Sequence, residues 1–499
     1  MLALAVKENA GLEKIRLLIK HGADLNYRSF HGYTLLTHAA CADRMDALDL
    51  LLAAGAPADG ESSYKESALS VLSRIGRFGQ IAKLLARGAD PTPLDWTPLL
   101  RAVALGSLRE MEILLDEGAD PEATDFWERS ALLLSIHTGD TDKAALLLAC
   151  GANRLATGRC GQPPAHYPIA HDDTRMMQWL IEQGFDVNQA DEFGNTPVME
   201  AAEQSATGCF RMLTEAGADW RAAKHHGEPL ISQASHPEII KWLYERGENL
   251  ADLDHEVLRD FIGLGTSRDL LASEREYLDG RFRKFGNANP ERMRVPFWNT
   301  MVRCGWTGYQ AAKQFGDSSY GRHHPVWCHD RFGMSLTRLP DGRWIQIAGE
   351  HEDHYDPDVC IYNDVFIHDG KGGFEILGYP EDEFQPTDFH SATHIPPWIY
   401  IIGNLGYTKT REACAYQTPV YRLHTGTGTI EHVTTHGPTP GWIHRHRATF
   451  EKGCIRVSGG KIAVPPGGDN PGIHDHTAVW LLELDSLTWR NDRPGEAGE

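Results

Sequence analysis

The stretch Ile15–Asp24 reads IRLLIKHGAD, and its form returns through the first half of the chain. Leucine and isoleucine at spacings of three and four make one helical face, and the glycine supplies the left-handed residue that ends the helix. Comparable runs are MEILLDEGAD ending at Asp120 and MQWLIEQGFD ending at Asp186. The terminating glycines are Gly22, Gly55, Gly88, Gly118, Gly151, Gly184, Gly217 and Gly247; five of the seven steps are 33 residues and two are 30. A polar stretch follows each glycine, then a second helix of small residues, such as TPLLRAVALG from Thr97 or TPVMEAAEQS from Thr196. Proline falls in the first turn there, where its missing N–H is no loss. One such unit cannot bury its own apolar face, so the pattern predicts a stacked array over residues 1–250.

Helix, turn, helix and protruding hairpin at this period resemble the ankyrin repeat, with its T-P-L-x-x-A motif partly kept. The resemblance covers about eight units across residues 1–250. The first has only Met1–Ala10 for its inner helix and reads as a cap or truncated repeat. RLATGRCGQPPAHYPIA, from Arg154 to Ala170, lacks T-P-L and predicts a distorted finger. The resemblance implies a curved slab that binds proteins through its concave face and fingertips. Those fingertips carry Tyr27, Phe30, Trp96, Phe126, Trp127, Phe193 and Trp220. Exposed aromatics would anchor a partner; the competing reading tucks them beneath their own hairpins.

Residues 251–325 read as a charged helical connector, in which PFWNTMVRCGW places aromatics on one helical face and Cys304 as a buried thiol. From residue 326 to 491 the texture changes to alternating β-branched and aromatic runs broken by Gly, Pro and Asp. Three units superpose, each of two hairpins joined by a long loop: MSLTRLPDGRWIQIAGE with IYNDVFIHDGKGGFEIL, HSATHIPPWIYIIGN with TPVYRLHTGTGTIEHV, and HRATFEKGCIRVSGG with TAVWLLELDSLTWRND. Their anchor glycines Gly349, Gly403 and Gly459 are 54 and 56 residues apart, and His390 and His446 each stand 13 residues ahead of their glycine. A four-stranded unit of this length resembles the kelch blade. The expected fold is therefore a multidomain α + β chain: an ankyrin solenoid, a helical connector, about three kelch-like blades and a polar tail at 492–499. Three open blades leave strand edges exposed, which leaves self-association open.

GEHEDHYDPD, Gly349–Asp358, falls in the loop between the second and third strands of the first unit. That loop should meet the Arg411 loop, the GIHDH loop and the segments leading into each first strand at one rim. His390, Arg445 and Arg447 are expected to face a partner there. The alternative reading is a divalent-metal or metal-dependent enzymatic rim, with His351, His354, Asp356, Asp358, His474 and His476 as ligands and the ankyrin repeats as a targeting arm. No helical H-E-x-x-H and no EF-hand loop supports it, and Asp356-Pro357-Asp358 is good turn chemistry. No P-loop, nucleophile elbow or dinucleotide fingerprint is present, so no catalytic residue is assigned.

Bulk composition leaves a basic protein surface, a small molecule or a cation open as partners. The net charge is −21, and residues 1–250 hold 23 Lys and Arg against 35 Asp and Glu. Such a field repels nucleic acid and anionic membrane. No apolar run is long enough to span a bilayer, and MLALAVKENAGLEK is charged too early for a secretory signal. Nine scattered cysteines without a C-x-x-C pair suit a reducing, cytoplasmic setting.

Overall fold

The computed structural model describes residues 1–8, 10–221, 229–250, 253–317, 325–351, 360–467 and 471–492. They form two compact units, Met1–Trp242 and Leu243–Glu499.

Five helix pairs open the first unit: Leu2–Lys7 with Leu12–Lys20, Leu35–Cys41 with Met45–Ala53, Ala68–Arg74 with Phe78–Ala86, Pro98–Leu105 with Leu108–Asp116, and Ala131–His137 with Thr141–Ala149. The first helix of each pair is the more deeply buried; all seven residues of Ala131–His137 are shielded from solvent. Each second helix buries only a stripe, such as Met111 in Leu108–Asp116. Thr34, Ser67, Thr97 and Ser130 accept backbone N–H bonds at the starts of the buried helices, where donors would otherwise lack partners. The repeat glycines have φ between +73° and +94°. Nothing lies within 4 Å of a Cβ built on any of them, so backbone conformation rather than crowding demands glycine.

After Ala149 the buried helix gives way to two 3-10 turns, Pro164–His166 and Ile169–His171, paired with Thr174–Glu182. Pro163 and Pro164 have no N–H to donate, and position 163 offers no capping hydroxyl. Pro197–Glu203 and Thr207–Glu215 restore the pair, and the 3-10 turn Leu230–Gln233 precedes Pro237–Tyr244.

The finger before Pro98–Leu105 is short. Leu35, Ala68 and Ala131 lie 13 positions beyond their glycines, whereas Pro98 lies 10 beyond Gly88. Elsewhere one buried helix stacks on the next, as Leu35–Cys41 does on Ala68–Arg74 and Pro98–Leu105 on Ala131–His137. At the short finger the 3-10 turn Thr92–Leu94 packs against Ala68–Arg74 instead.

The second unit joins helices His255–Phe261, Glu274–Gly280, Pro296–Cys304 and Gly308–Gln314 to a β region. Trp298 stacks on Trp327 at 4.6 Å, and both share a core with Tyr277, Phe297 and Phe366, so the connector aromatics cover the first sheet. Cys304 is buried there and its thiol is pushed up in pKa chiefly by that burial.

The β region consists of several small antiparallel sheets. Strands Ser335–Arg338, Trp344–Ile347, Val365–His368 and Phe374–Gly378 pair in sequence order, and Glu291–Arg292 from the connector extends the outer edge. Ser391–Ile395, Trp398–Ile402, Val420–His424 and Ile430–His432 form the second meander. Arg447–Glu451, Cys454–Ser458, Trp480–Glu483 and Thr488–Asn491 form the third. Trp442–His444, Lys461–Val464 and Gly472–Asp475 make a three-stranded sheet, and Glu350–His351 pairs with Cys360–Ile361. Among the described residues the sheets close into no barrel or propeller; their first strands sit side by side in an open row.

That row is registered by a 56-residue backbone ladder. Gly333, Phe389 and Arg445, 56 residues apart, have φ of +62°, +46° and +56°. Phe389 N–H donates to Gly333 O at 2.7 Å, and Arg445 N–H to Phe389 O at 2.8 Å. Gly460 (φ +80°) closes the third unit where a Cβ would meet His444 O at 2.5 Å; here close approach as well as conformation excludes a side chain.

Candidate functional site

The short finger decides how the next one lies. Residues 119–130 reach across it to Ala68–Arg74: Trp127 Nε1 donates 2.7 Å to Ser70 O, and Arg129 donates to Ser73 O at 2.8 Å and to Ser73 Oγ at 2.5 Å. Arg129 is buried against Asp125, which accepts two bonds at 2.5 and 3.0 Å. Its remaining bond runs to His137 Nδ1 at 2.6 Å. Burial, then the guanidinium charge, pushes His137 far below the ordinary imidazole range, so the ring accepts as a neutral base. A buried ion pair with every donor used is costly to break, and it fixes Trp127 from beneath.

Neighbouring fingers continue the arrangement. Phe126 N–H donates to Leu94 O, Arg159 N–H to Trp127 O and Glu192 N–H to Cys160 O. Phe126 and Trp127 meet edge to face at 5.1 Å. The Arg159 guanidinium lies 4.8 Å from each ring centre, donates to Phe126 O and pairs with Glu128 at 3.1 Å. Arg74 lies 5.5 Å from the Trp127 ring. Between these groups opens a cleft of about 320 Å³, with Tyr167 and Gln162 also on its wall. Gly158 makes room for it, because a Cβ there would strike the Tyr167 hydroxyl.

The fingertip aromatics thus separate. Phe30 (98% exposed), Phe193 (58%) and Tyr27 stand free of cover. Phe126 and Trp127 are half-buried at the cleft. Trp96, in the short finger, packs against the core, and Trp220 is buried edge-on to Trp242 under Arg221. The arginines at positions 74, 129 and 159 were not singled out by sequence; the 30-residue step and the GRCGQPP departure were their signals.

At the β rim the Arg411 loop meets the segments around Asp388 and Trp442, while residues 352–359 of the first loop lie outside the described residues. Leu405 N–H donates to Asp388 O, Gly406 N–H to Asp388 Oδ1, and Arg411 and Trp442 both donate to Leu405 O. His476 bonds Gly459 O through Nδ1 and Gly460 O through its N–H. Burial raises the Asp388 carboxyl above the ordinary range. His390 Nε2 meets Ser335 Oγ at 2.7 Å, and His446 Nε2 meets Ser391 Oγ at 2.9 Å, one latch per sheet junction. Burial pushes both rings down to about 3, and burial followed by nearby Arg445, Arg411 and Lys461 takes His444 to about 4. Arg445 stacks on Phe389 at 3.5 Å, and Arg447 pairs with Glu248 at 3.4 Å. His351 is buried opposite Cys360, and His474 lies opposite Ile462 in the three-stranded sheet. His354, Asp356 and Asp358 lie outside the described residues. Among the described residues no group of three or more His, Cys, Asp or Glu is placed to hold a metal ion. No helix of the described residues is long and apolar enough to cross a membrane.

Comparison with known proteins places the first unit in a class. The ankyrin-repeat family model matches residues 132–224 and 165–254. The chain is 28% identical over 258 residues to ankyrin repeat protein nuc-2 of Neurospora crassa, covering 48% of this chain and 24% of that protein. It is 27% identical over 183 residues to SH3 and multiple ankyrin repeat domains protein 2 of Homo sapiens, covering 36% and 10%. It is 30% identical over 82 residues to ankyrin repeat domain-containing protein 37 of Xenopus tropicalis, covering 16% and 50%. The chain therefore spans half or less of the length of each of these relatives. The helical region is an ankyrin-repeat region, followed by a β-rich region of small antiparallel sheets.

Proposed function

We propose that this chain is a cytoplasmic protein-binding scaffold, which takes one partner on the concave face and fingers of its ankyrin region and a second on the rim of kelch-like blades. Ankyrin repeats generally mediate protein association. The observation that carries the reading is Trp127. It is a large aromatic, held by Ser70 O through its Nε1–H and by Asp125 Oδ1 through its backbone N–H yet half-exposed in a cleft, which is how binding hot spots are built. The three meanders of the β region, with Gly460 in a position only glycine fits, support the kelch-like part.

Affinity capture from lysate by the full chain tests this. Trp127→Ala should remove at least one specific, stoichiometric partner, while Leu17→Ala, at an exposed position of the second helix Leu12–Lys20, leaves capture intact. Trp127→Ala protein that folds, melts near wild type and captures the same partners equally well would refute the assignment.

A further inference from the structure

Arg74 is the cleft residue whose charge is left unspent. It closes the helix Ala68–Arg74 and is exposed. Its guanidinium stands over Trp127, and no carboxylate among the described residues pairs with it. The other charges nearby are already engaged. Arg129 and Asp125 neutralise each other beneath the ring. Asp191, on the cleft wall, accepts the N–H groups of Phe193 and Asn195 and the Asn195 side-chain amide, so its turn occupies it. Among the described residues the carboxylate that Arg159 meets is Glu128, in an exposed pair weakened by solvent. Two guanidinium groups therefore share one indole and repel each other, offset only by Glu128, which solvent screens, and by Asp191, whose oxygens are turned into its own hairpin. An arriving carboxylate would relieve that repulsion through charge-assisted bonds.

We propose that the cleft of Arg74, Trp127 and Arg159 receives an acidic side chain of a partner peptide, with the peptide's adjacent apolar residue laid against Trp127 and Tyr167. This rests on reading the ankyrin region as a partner-binding surface and adds the charge of what it binds. The cleft volume of about 320 Å³ admits side chains rather than a folded domain. The chain's net charge of −21 repels acidic segments in general, so the cleft would select where on this surface one can settle.

A phage-displayed random-peptide library selected on the full chain provides the probe, and the consensus peptide, labelled with fluorescein, is titrated by anisotropy. The expected consensus contains Asp or Glu beside an apolar residue, and its amide counterpart binds about tenfold or more weakly. Arg74→Glu and Arg159→Glu each weaken binding about tenfold or more, whereas Arg101→Glu, on the exposed side of Pro98–Leu105, does not. Arg74→Gln guards against misfolding and should weaken binding in the same direction with an unchanged melting temperature. A consensus without acids, an amide peptide that binds equally, or well-folded Arg74→Glu protein with wild-type affinity overturns the proposal. Neutral peptides that are selected and then lost on Trp127→Ala would sink the charge alone and leave the scaffold reading standing. If no peptide is selected and partner capture survives Trp127→Ala, both fail.

Discussion

The two regions join their repeats by opposite means. In the ankyrin region neighbouring units share one apolar cluster that runs from Leu2 to Leu180. In the β region neighbouring sheets are also pinned by polar groups: the Phe389 and Arg445 N–H bonds and the two His–Ser latches. Apolar contact is non-directional and accepts slippage; a hydrogen bond accepts little error in distance or angle. The helical array accordingly absorbs a 30-residue step and a buried helix replaced by 3-10 turns. The first strands of the meanders, at Ser335, Ser391 and Arg447, keep their 56-residue interval.

Acid is the strongest way to break this contrast. Burial holds His390 and His446 down to about 3 in the fold, whereas an unfolded imidazole titrates near ~6.5. Between these values the unfolded chain binds more protons, so stability is lost as pH falls through ~6.5 and continues to fall toward the folded values. At pH 5 the two rings together should cost about 4 kcal/mol. Hydrogen exchange corrected for intrinsic rates should show Ser391–Ile395 and Cys454–Ser458 losing protection before Leu35–Cys41 does. His137 places a cost of the same sign on the ankyrin region, so a β unit that loses protection no earlier than Leu35–Cys41 would mean that the two latches add nothing beyond that ring.

Two glycine substitutions probe the same difference at smaller scale. Gly460→Ala adds a Cβ within 2.5 Å of His444 O and 2.6 Å of His446 N at φ +80°, and should cost about 3 kcal/mol. Gly151→Ala, at φ +86° with nothing within 4 Å, should cost only about 1 kcal/mol. Urea titrations of the full chain, followed by a probe in each unit, would compare them; similar costs would show that conformation alone matters at both sites. Smallest is Ser391→Ala, which leaves His446 Nε2 without its partner and should lower the β unit by about 1–2 kcal/mol. Ser391→Thr should restore most of the loss in the same titration, and absence of any loss would make the latch incidental.

What sequence made legible follows the same division. Helix stripes and terminating glycines are local, so the array, its short step and the irregular stretch after Asn153 could be read from Ile15 onward. The hairpins of the meanders were equally local. The cleft was not, because Trp127 meets Ser70 from 57 residues away and only the geometry of an intervening short finger lets it do so. Nor could sequence divide Trp96 from Trp127: both are half-buried fingertip tryptophans, but Trp96 packs against the apolar cluster whereas Trp127 lines the cleft. His390 and His446 were visible as a periodic pair, but their serine partners lie 55 residues back, so His390, an imidazole spent on a hydroxyl, looked like a candidate for partner recognition.

The three positions missing between Gly88 and Pro98 have a consequence for how such surfaces arise. The hollow beside Trp127 adjoins the finger that is three residues short, where the 3-10 turn Thr92–Leu94 packs on Ala68–Arg74. A change of loop length, with no new side chain supplied, can thus uncover the carbonyls of an older helix and turn a uniform stack into one with an address.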